Sequence, residues 1–290
     1  MLKILKYSLV FLLIALIIGG FISYRFINRV LNGVEDYDLV APNIEFDEQK
    51  ADILVFTKTN AFRHNGAIQA SLPTLQKICQ DRNWHMIHTE NGAVFNEEYL
   101  SQIDLIIWNN TTGPVLTADQ QRAMRTYIET GGGFFGIHAA GDRSHKWTWY
   151  RNHIIGADYS HHPMNPQFQE AKMSLECDST HTFLCNGLTP TWNRTDEWYI
   201  FNDNPRDNGM SVLYTVDEST INPDGEFLFM QKDKKHGMGD DHPIVWYSEV
   251  GEGRAVYSAL GHTKESWQEE NHLKIIRNAM QWAVQTEVQQ

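Results

Sequence analysis

Between residues 51 and 142, short apolar runs alternate with segments whose apolar residues recur at helical spacing, and this alternation constrains the fold more than any other feature. A parallel strand is covered on both faces, so it reads as a continuous apolar run rather than as an in–out pattern. ADILVFTKT (51–59), WHMIHTE (84–90), DLIIWNN (104–110) and GGFFGIHA (132–139) are runs of that kind. Between the first two, GAIQASLPTLQKICQ sets Ile68, Leu72, Leu75 and Cys79 on one helical face. Before the fourth, TADQQRAMRTYIETG opens with Thr117 and Gln120 as a capping box and closes with Gly131 at the C′ position. Strands alternating with helices in this way predict an α/β fold with a doubly wound, mostly parallel sheet and a site at the carboxyl ends of its strands.

Past residue 150 the pattern loosens. QEAKMSLE, MSVLYTVD, HPIVWYSEV and RAVYSALGH read as strands, the last two as a hairpin turned by Gly251, Glu252 and Gly253. HLKIIRNAMQWAV closes the chain as an amphipathic helix with Leu273, Ile276, Met280 and Ala283 on one face. One domain over residues 51–286 accounts for these elements.

The first thirty residues differ from the rest. After the basic start MLKILK, the stretch from Tyr7 to Tyr24 is apolar and without charge, close to the roughly 20 residues that cross a bilayer. A secretory signal would end in an A-x-A-like cleavage site, which is missing, and no cysteine follows to carry a lipid. Residues 1–25 are therefore expected to be an uncleaved single-pass membrane anchor, and residues 26–50, with Pro42 and mixed charge, a juxtamembrane linker. Lys3 and Lys6 are balanced by Arg25 and Arg29, while Glu35, Asp36 and Asp38 tilt the expectation toward a domain outside the cytoplasm.

Twenty-four Lys plus Arg stand against 36 Asp plus Glu, a net charge of -12 with no basic cluster, which argues against a nucleic-acid partner. Cys79, Cys177 and Cys185 are too few for a disulfide scaffold and show no C-x-x-C spacing. Cys177 and Cys185 either pair in an oxidising compartment or remain buried thiols.

Polar groups gather at the strand ends: FRHN with His64, NNTTG with Asn110, Thr111 and Thr112, HAAGD with His138 and Asp142, and GHT with His262. Converging there, they would line one cleft. Gly136, His138 and Ala140 occupy the register of a nucleophile elbow, with imidazole where serine or cysteine would signal acyl transfer. The plainer reading is that Gly and Ala only let the next element pack on the sheet. An imidazole at such a turn serves as general base, metal ligand or nucleophile. Farther on, His161 and His162 precede Pro163, His242 precedes Pro243, and Asp196 and Glu197 open DEWYIF. Histidines and a carboxylate from separated segments suit a divalent transition metal, with His138, His162 and His242 as candidate ligands, although no H-x-x-x-H or H-E-x-x-H supports it and His-Pro pairs also cap loops. Trp147, Trp149 and Tyr150 are either a sugar-stacking platform or core packing.

The ordered blocks FTKTNAFRHN, NNTTGPVLTADQQ, YIETGGGFFGIHAAGD, WYRNHIIGADYSHHP, DEWYIF, DHPIVWYSEV and RAVYSALGHT resemble the ThuA family, the trehalose-utilisation proteins of the class I glutamine amidotransferase-like superfamily. The resemblance implies a flavodoxin-like sheet and a role in carbohydrate use, with trehalose or a keto-sugar as substrate. Relative to true amidotransferases, His138 replaces the elbow cysteine, so glutamine hydrolysis should be absent, even though His262 and Glu265 echo the amidotransferase histidine and acid. The expectation is acid/base or metal-assisted chemistry on a small carbohydrate by His138, His64 and Glu197, with Asn110, Thr111, Thr112, Asp142, Trp147, Tyr150 and His262 holding the sugar. A noncatalytic sugar-binding domain on a membrane tether is the alternative. A scaffold for a partner enzyme lacks an exposed apolar stripe to support it.

Overall fold

A computed structural model describes residues 2–177, 182–227 and 231–284. The four apolar runs form β1 (Asp52–Phe56), β2 (His85–Thr89), β3 (Leu105–Asn109) and β4 (Gly133–Ile137), paired in parallel in the order β2-β1-β3-β4. β1, β3 and β4 are buried along their whole length, the environment that their uninterrupted apolar character requires. Helices α1 (Leu2–Asn32), α2 (Asn65–Asp81), α3 (Glu97–Leu100), α4 (Ala118–Glu129), α5 (Thr148–Tyr150) and α6 (Glu270–Ala283) complete the first layers, and the Thr117–Gln120 capping box opens α4.

The second half adds β5 (Tyr159–His161), β6 (Phe168–Leu175), β7 (Thr191–Glu197), β8 (Ile200–Phe201), β9 (Ser211–Val216), β10 (His242–Val250) and β11 (Gly253–Ser258). β11 pairs in parallel with β4, and the expected hairpin brings β10 back antiparallel to it. β9, β6 and β7 then extend the nine-stranded sheet antiparallel, in the order β2-β1-β3-β4-β11-β10-β9-β6-β7. The alternating directions bring the end of β7 and the start of β6 to the same edge as the carboxyl ends of β1, β3, β4 and β11. DEWYIF is divided between β7 and the short β5–β8 pair.

At the N-terminus, α1 contains a stretch, Lys6–Val30, of 25 residues that is long and apolar enough to cross a membrane, with an 18-residue window of mean hydropathy 2.3, none of it buried. The helix runs past residue 25 to Asn32, and residues 33–50 are not a free linker. Val34 N–H donates to Asn60 O (2.9 Å), and the Asn60 side chain donates to Asp36 O (2.9 Å). Asp38 pairs with Lys58 and accepts from Gly92 N–H (2.8 Å), while its carbonyl accepts from Gln120 (2.7 Å). Farther on, Pro42 O accepts from Tyr99 (2.9 Å), and Asp47 N–H donates to Asp52 (3.1 Å) at the start of β1. The segment is a strap that descends from the carboxyl edge of the sheet to its amino edge. Its mixed charge looks like linker composition but is matched by fixed partners. Cys177 and Cys185 form a disulfide with Cα atoms 5.9 Å apart, and Cys79 is a buried free thiol.

Candidate functional site

β4 delivers His138 at a turn where φ is +48°, a left-handed conformation that a non-glycine residue adopts at a cost of about 1–3 kcal/mol. Two bonds hold it there: Tyr257 Oη–H donates to His138 O (2.8 Å), and the ring Nδ1 lies 2.7 Å from Ala259 O. A carbonyl only accepts, so Nδ1 carries the proton, and in the neutral ring Nε2 is left as a lone pair. That nitrogen lies 3.0 Å from His262 Nδ1 and 3.3 Å from Glu197 Oε2.

Glu197 ends β7, buried, with Oε2 also 3.1 Å from His262 Nδ1. Its other oxygen accepts from Gln167 Nε2 (2.7 Å) and stands 3.2 Å from His162 Nδ1. His64, at the entrance to α2, turns its ring edge-on to those of His138 (5.0 Å between centroids) and His262 (4.8 Å), and its buried Nδ1 has no hydrogen-bond partner among the described residues. One ligand atom from each of His64, His138, Glu197 and His262 falls within 4.8 Å of the others. Ligands about 2.0–2.1 Å from a first-row metal ion stand about 2.9–3.4 Å apart in octahedral or tetrahedral geometry. The mutual separations of His138, His262 and Glu197 lie within that span.

The electrostatics match the donor set. Burial alone would raise the Glu197 carboxyl, but hydrogen bonds with His138 and His262, together with the nearby His162, hold it well below the usual carboxylate range. Burial, reinforced by the neighbouring imidazoles, keeps His64 well below the ordinary histidine value. His262 goes the other way: burial would lower it, yet its hydrogen bond to Glu197 and that carboxylate's charge raise it. The loop that presents His262 is pinned beneath the cluster. Gly261, at φ +105°, donates its N–H to Asp196 Oδ2 (2.9 Å), and Asp196 is paired with the fully buried Arg194 (2.8 Å).

The cluster opens to a cavity of about 550 Å³ lined by Phe62, Arg63, His64, Phe168, His262 and Lys264 among others. Of the residues expected to hold substrate, only His262 is found in this lining. Thr111 and Thr112 donate their hydroxyls to Phe56 O (3.0 Å) and Phe62 O (2.8 Å), so both serve the loop rather than a ligand. Asn110, buried at φ +55°, donates to Asn109 (3.1 Å). Asp142 caps the following turn by accepting from Ser144, and with Trp147 and Tyr150 it lines a separate cavity of about 180 Å³. Trp147 stacks on Tyr150 (5.6 Å), whose buried hydroxyl donates to Ala140 O (2.8 Å); these rings pack the wall of that cavity.

Two of the expected metal ligands stand outside the quartet. His242, at the start of β10, is held between Glu218 (3.0 Å) and Tyr199 O (2.9 Å), and its ring nitrogens are not among the converging ligand atoms. His162 Nδ1 lies 2.9 Å from Pro163 O and 3.2 Å from the outer oxygen of Glu197. Glu265 is exposed and paired with Lys264 (3.8 Å), so the acid facing His262 is Glu197. Sequence reasoning missed Phe62 and Phe168, exposed by 48% and 44% at the cavity rim. An aromatic at the outward position of an alternating strand was the available signal for Phe168; Gln167 offered none.

The sequence matches the ThuA family, described as trehalose utilisation, over residues 52–283. Among solved structures, the fold is similar to a ThuA-like protein of Bacteroides uniformis (TM-score 0.67, 20% identity, covering 84% of this chain and 95% of that one). It is also similar to a ThuA-like protein of Parabacteroides merdae (TM-score 0.59, 20% identity, covering 83% and 92%). No curated protein sequence matches it. With the family match running from β1 to α6, the chain belongs to the ThuA family.

Proposed function

We propose that this protein is a membrane-anchored enzyme that binds a divalent transition metal through His64, His138, His262 and Glu197 and uses it in acid/base chemistry on a small carbohydrate. The observation that carries the reading is the convergence of three imidazole nitrogens and one carboxylate oxygen within 4.8 Å at the foot of an open cavity. Held by these four residues, such an ion would supply Lewis-acid chemistry toward a sugar hydroxyl or carbonyl. The chain's own residues prepare for it. Ala259 O orients His138, Gln167 orients Glu197, and the depressed pKa of His64 leaves its lone pair available. Glu197 supplies a negative charge to the site, and the cavity supplies the approach for a sugar. The carbohydrate is supported by the family's description, trehalose utilisation.

The anchor is α1, and the Cys177–Cys185 disulfide supports a domain on the oxidising side of that membrane.

Metal analysis of the purified, dialysed full chain tests the site. Near-stoichiometric zinc, manganese or nickel is expected, falling below about a tenth in His138→Ala and Glu197→Gln, since each removes a ligand. A metal-free wild type after incubation with each of these ions, or unchanged content in both variants, would overturn the reading.

A further inference from the structure

The strap gives the domain a definite attitude toward the membrane. Val30, the last residue of the candidate membrane span, is three residues from Gly33, a distance of at most about 10 Å even when extended. Gly33 is already seated on the domain: its φ is +69°, a Cβ added there would lie 2.7 Å from Pro114, and the next residue donates to Asn60. Asn60 and Pro114 belong to the loops that follow β1 and β3, the loops that also carry His64 and Asn110. The anchor therefore meets the domain at the carboxyl edge of the sheet, although the chain enters β1 at the opposite edge.

The distance from anchor to site is short. Arg29, in the last turn of α1, shares a cleft with Glu90, and Glu90 pairs with Arg63 (2.6 Å), which lines the cavity over the cluster. That ion pair links a residue lining one cleft to a residue lining the other.

The surface agrees. Outside α1, the exposed large apolar side chains among the described residues are Leu39 (80%), Val40 (79%), Phe62, Phe168 and Phe227. Leu39 and Val40 lie beside the loop after β2, where Asn91 donates to Val40 O (3.0 Å); Phe62 follows β1, Phe168 starts β6, and Phe227 lies between β9 and β10. By strand direction, all five stand at the carboxyl edge. Scattered singly such residues carry no meaning, but gathered on one edge beside a spanning helix they fit the bilayer interface.

We infer that the carboxyl edge faces the bilayer, with Leu39, Val40 and Phe62 in its interface and the mouth of the histidine–glutamate cluster opening toward the membrane surface. This rests on the anchoring proposed above. Residues 33–50 make the attitude fixed, because their hydrogen bonds bind the strap along its length.

The test uses the full chain in phosphatidylcholine vesicles, with an environment-sensitive fluorophore on Leu39→Cys, Phe62→Cys or, at the amino edge, Gln102→Cys. Cys79 is buried and Cys177 and Cys185 are bonded, so the new thiol is the reactive one. Nitroxide carried on the lipid should quench the labels at 39 and 62 at least twofold more than the label at 102. In Asp38→Ala/Gln120→Ala, which loosens the strap, the protein should still float with the vesicles while that difference shrinks. Protein that floats but shows equal quenching at all three sites would overturn the orientation alone. Protein that does not float would overturn the anchoring, and the orientation with it.

Discussion

His138 combines an unfavourable backbone with a ring whose proton position is dictated by Ala259 O, and both features aim one lone pair at Glu197 and His262. The pKa shifts around it make a prediction of definite sign. His262 is raised above its ordinary value of 6.5, so in metal-free protein its stabilising charge on Glu197 is fully present below about pH 6.5 and is lost as pH rises through the folded value. Glu197 is depressed below 4.5, so its contribution is present above that pH and lost only in acid. A bound metal needs neutral imidazoles, which reverses the trend. The melting temperature of chelator-treated protein should therefore fall as pH rises from 6.5, that of metal-loaded protein should rise over the same interval, and His262→Gln should flatten the first curve. Identical slopes with and without metal would contradict this. Legibility at this scale divides by what a side chain needs. His64, His138, Glu197 and His262 can be named from sequence because strand ends of an α/β sheet converge. The roles of Thr111 and Thr112 cannot, because their acceptors are carbonyls about fifty residues away, fixed by loop shape alone.

Among the elements, the parallel half is the more readable. β1, β3 and β4 are buried on both faces and announce themselves as apolar runs, whereas β7, TWNRTDE, carries polar residues whose partners lie elsewhere. Arg194 and Asp196 on β7 form a buried pair that supports Gly261 beneath His262 without touching the candidate ligand atoms. Asp196→Asn leaves Arg194 with Glu269, 3.5 Å away, as its carboxylate among the described residues, and should cost about 3 kcal/mol, lowering the melting temperature by about 6–12 °C. Because the loop beneath His262 loosens, metal affinity should also weaken about 10–100-fold in protein that remains folded by circular dichroism. Unchanged affinity would make the pair purely structural. The strap escapes a reading by composition for a related reason: a docked segment and a free linker look alike when the partners are distant in sequence.

For the molecule as a whole, the disulfide and the apolar helix together bear on compartment. If the domain lies on the oxidising side, protein taken from cells quenched in acid should expose Cys177 and Cys185 to alkylation only after reduction; alkylation without reductant would place the domain in a reducing compartment. The strap has a further consequence, in the order of synthesis. Asp38 leaves the ribosome 82 residues before Gln120, its partner on α4. At about 5–20 residues per second, that leaves several seconds in which α1 has already been made while the sites that dock residues 33–50 do not yet exist. If α1 is the anchor proposed above, the side of the membrane that the domain occupies is settled early, and the way it faces is settled late, by folding.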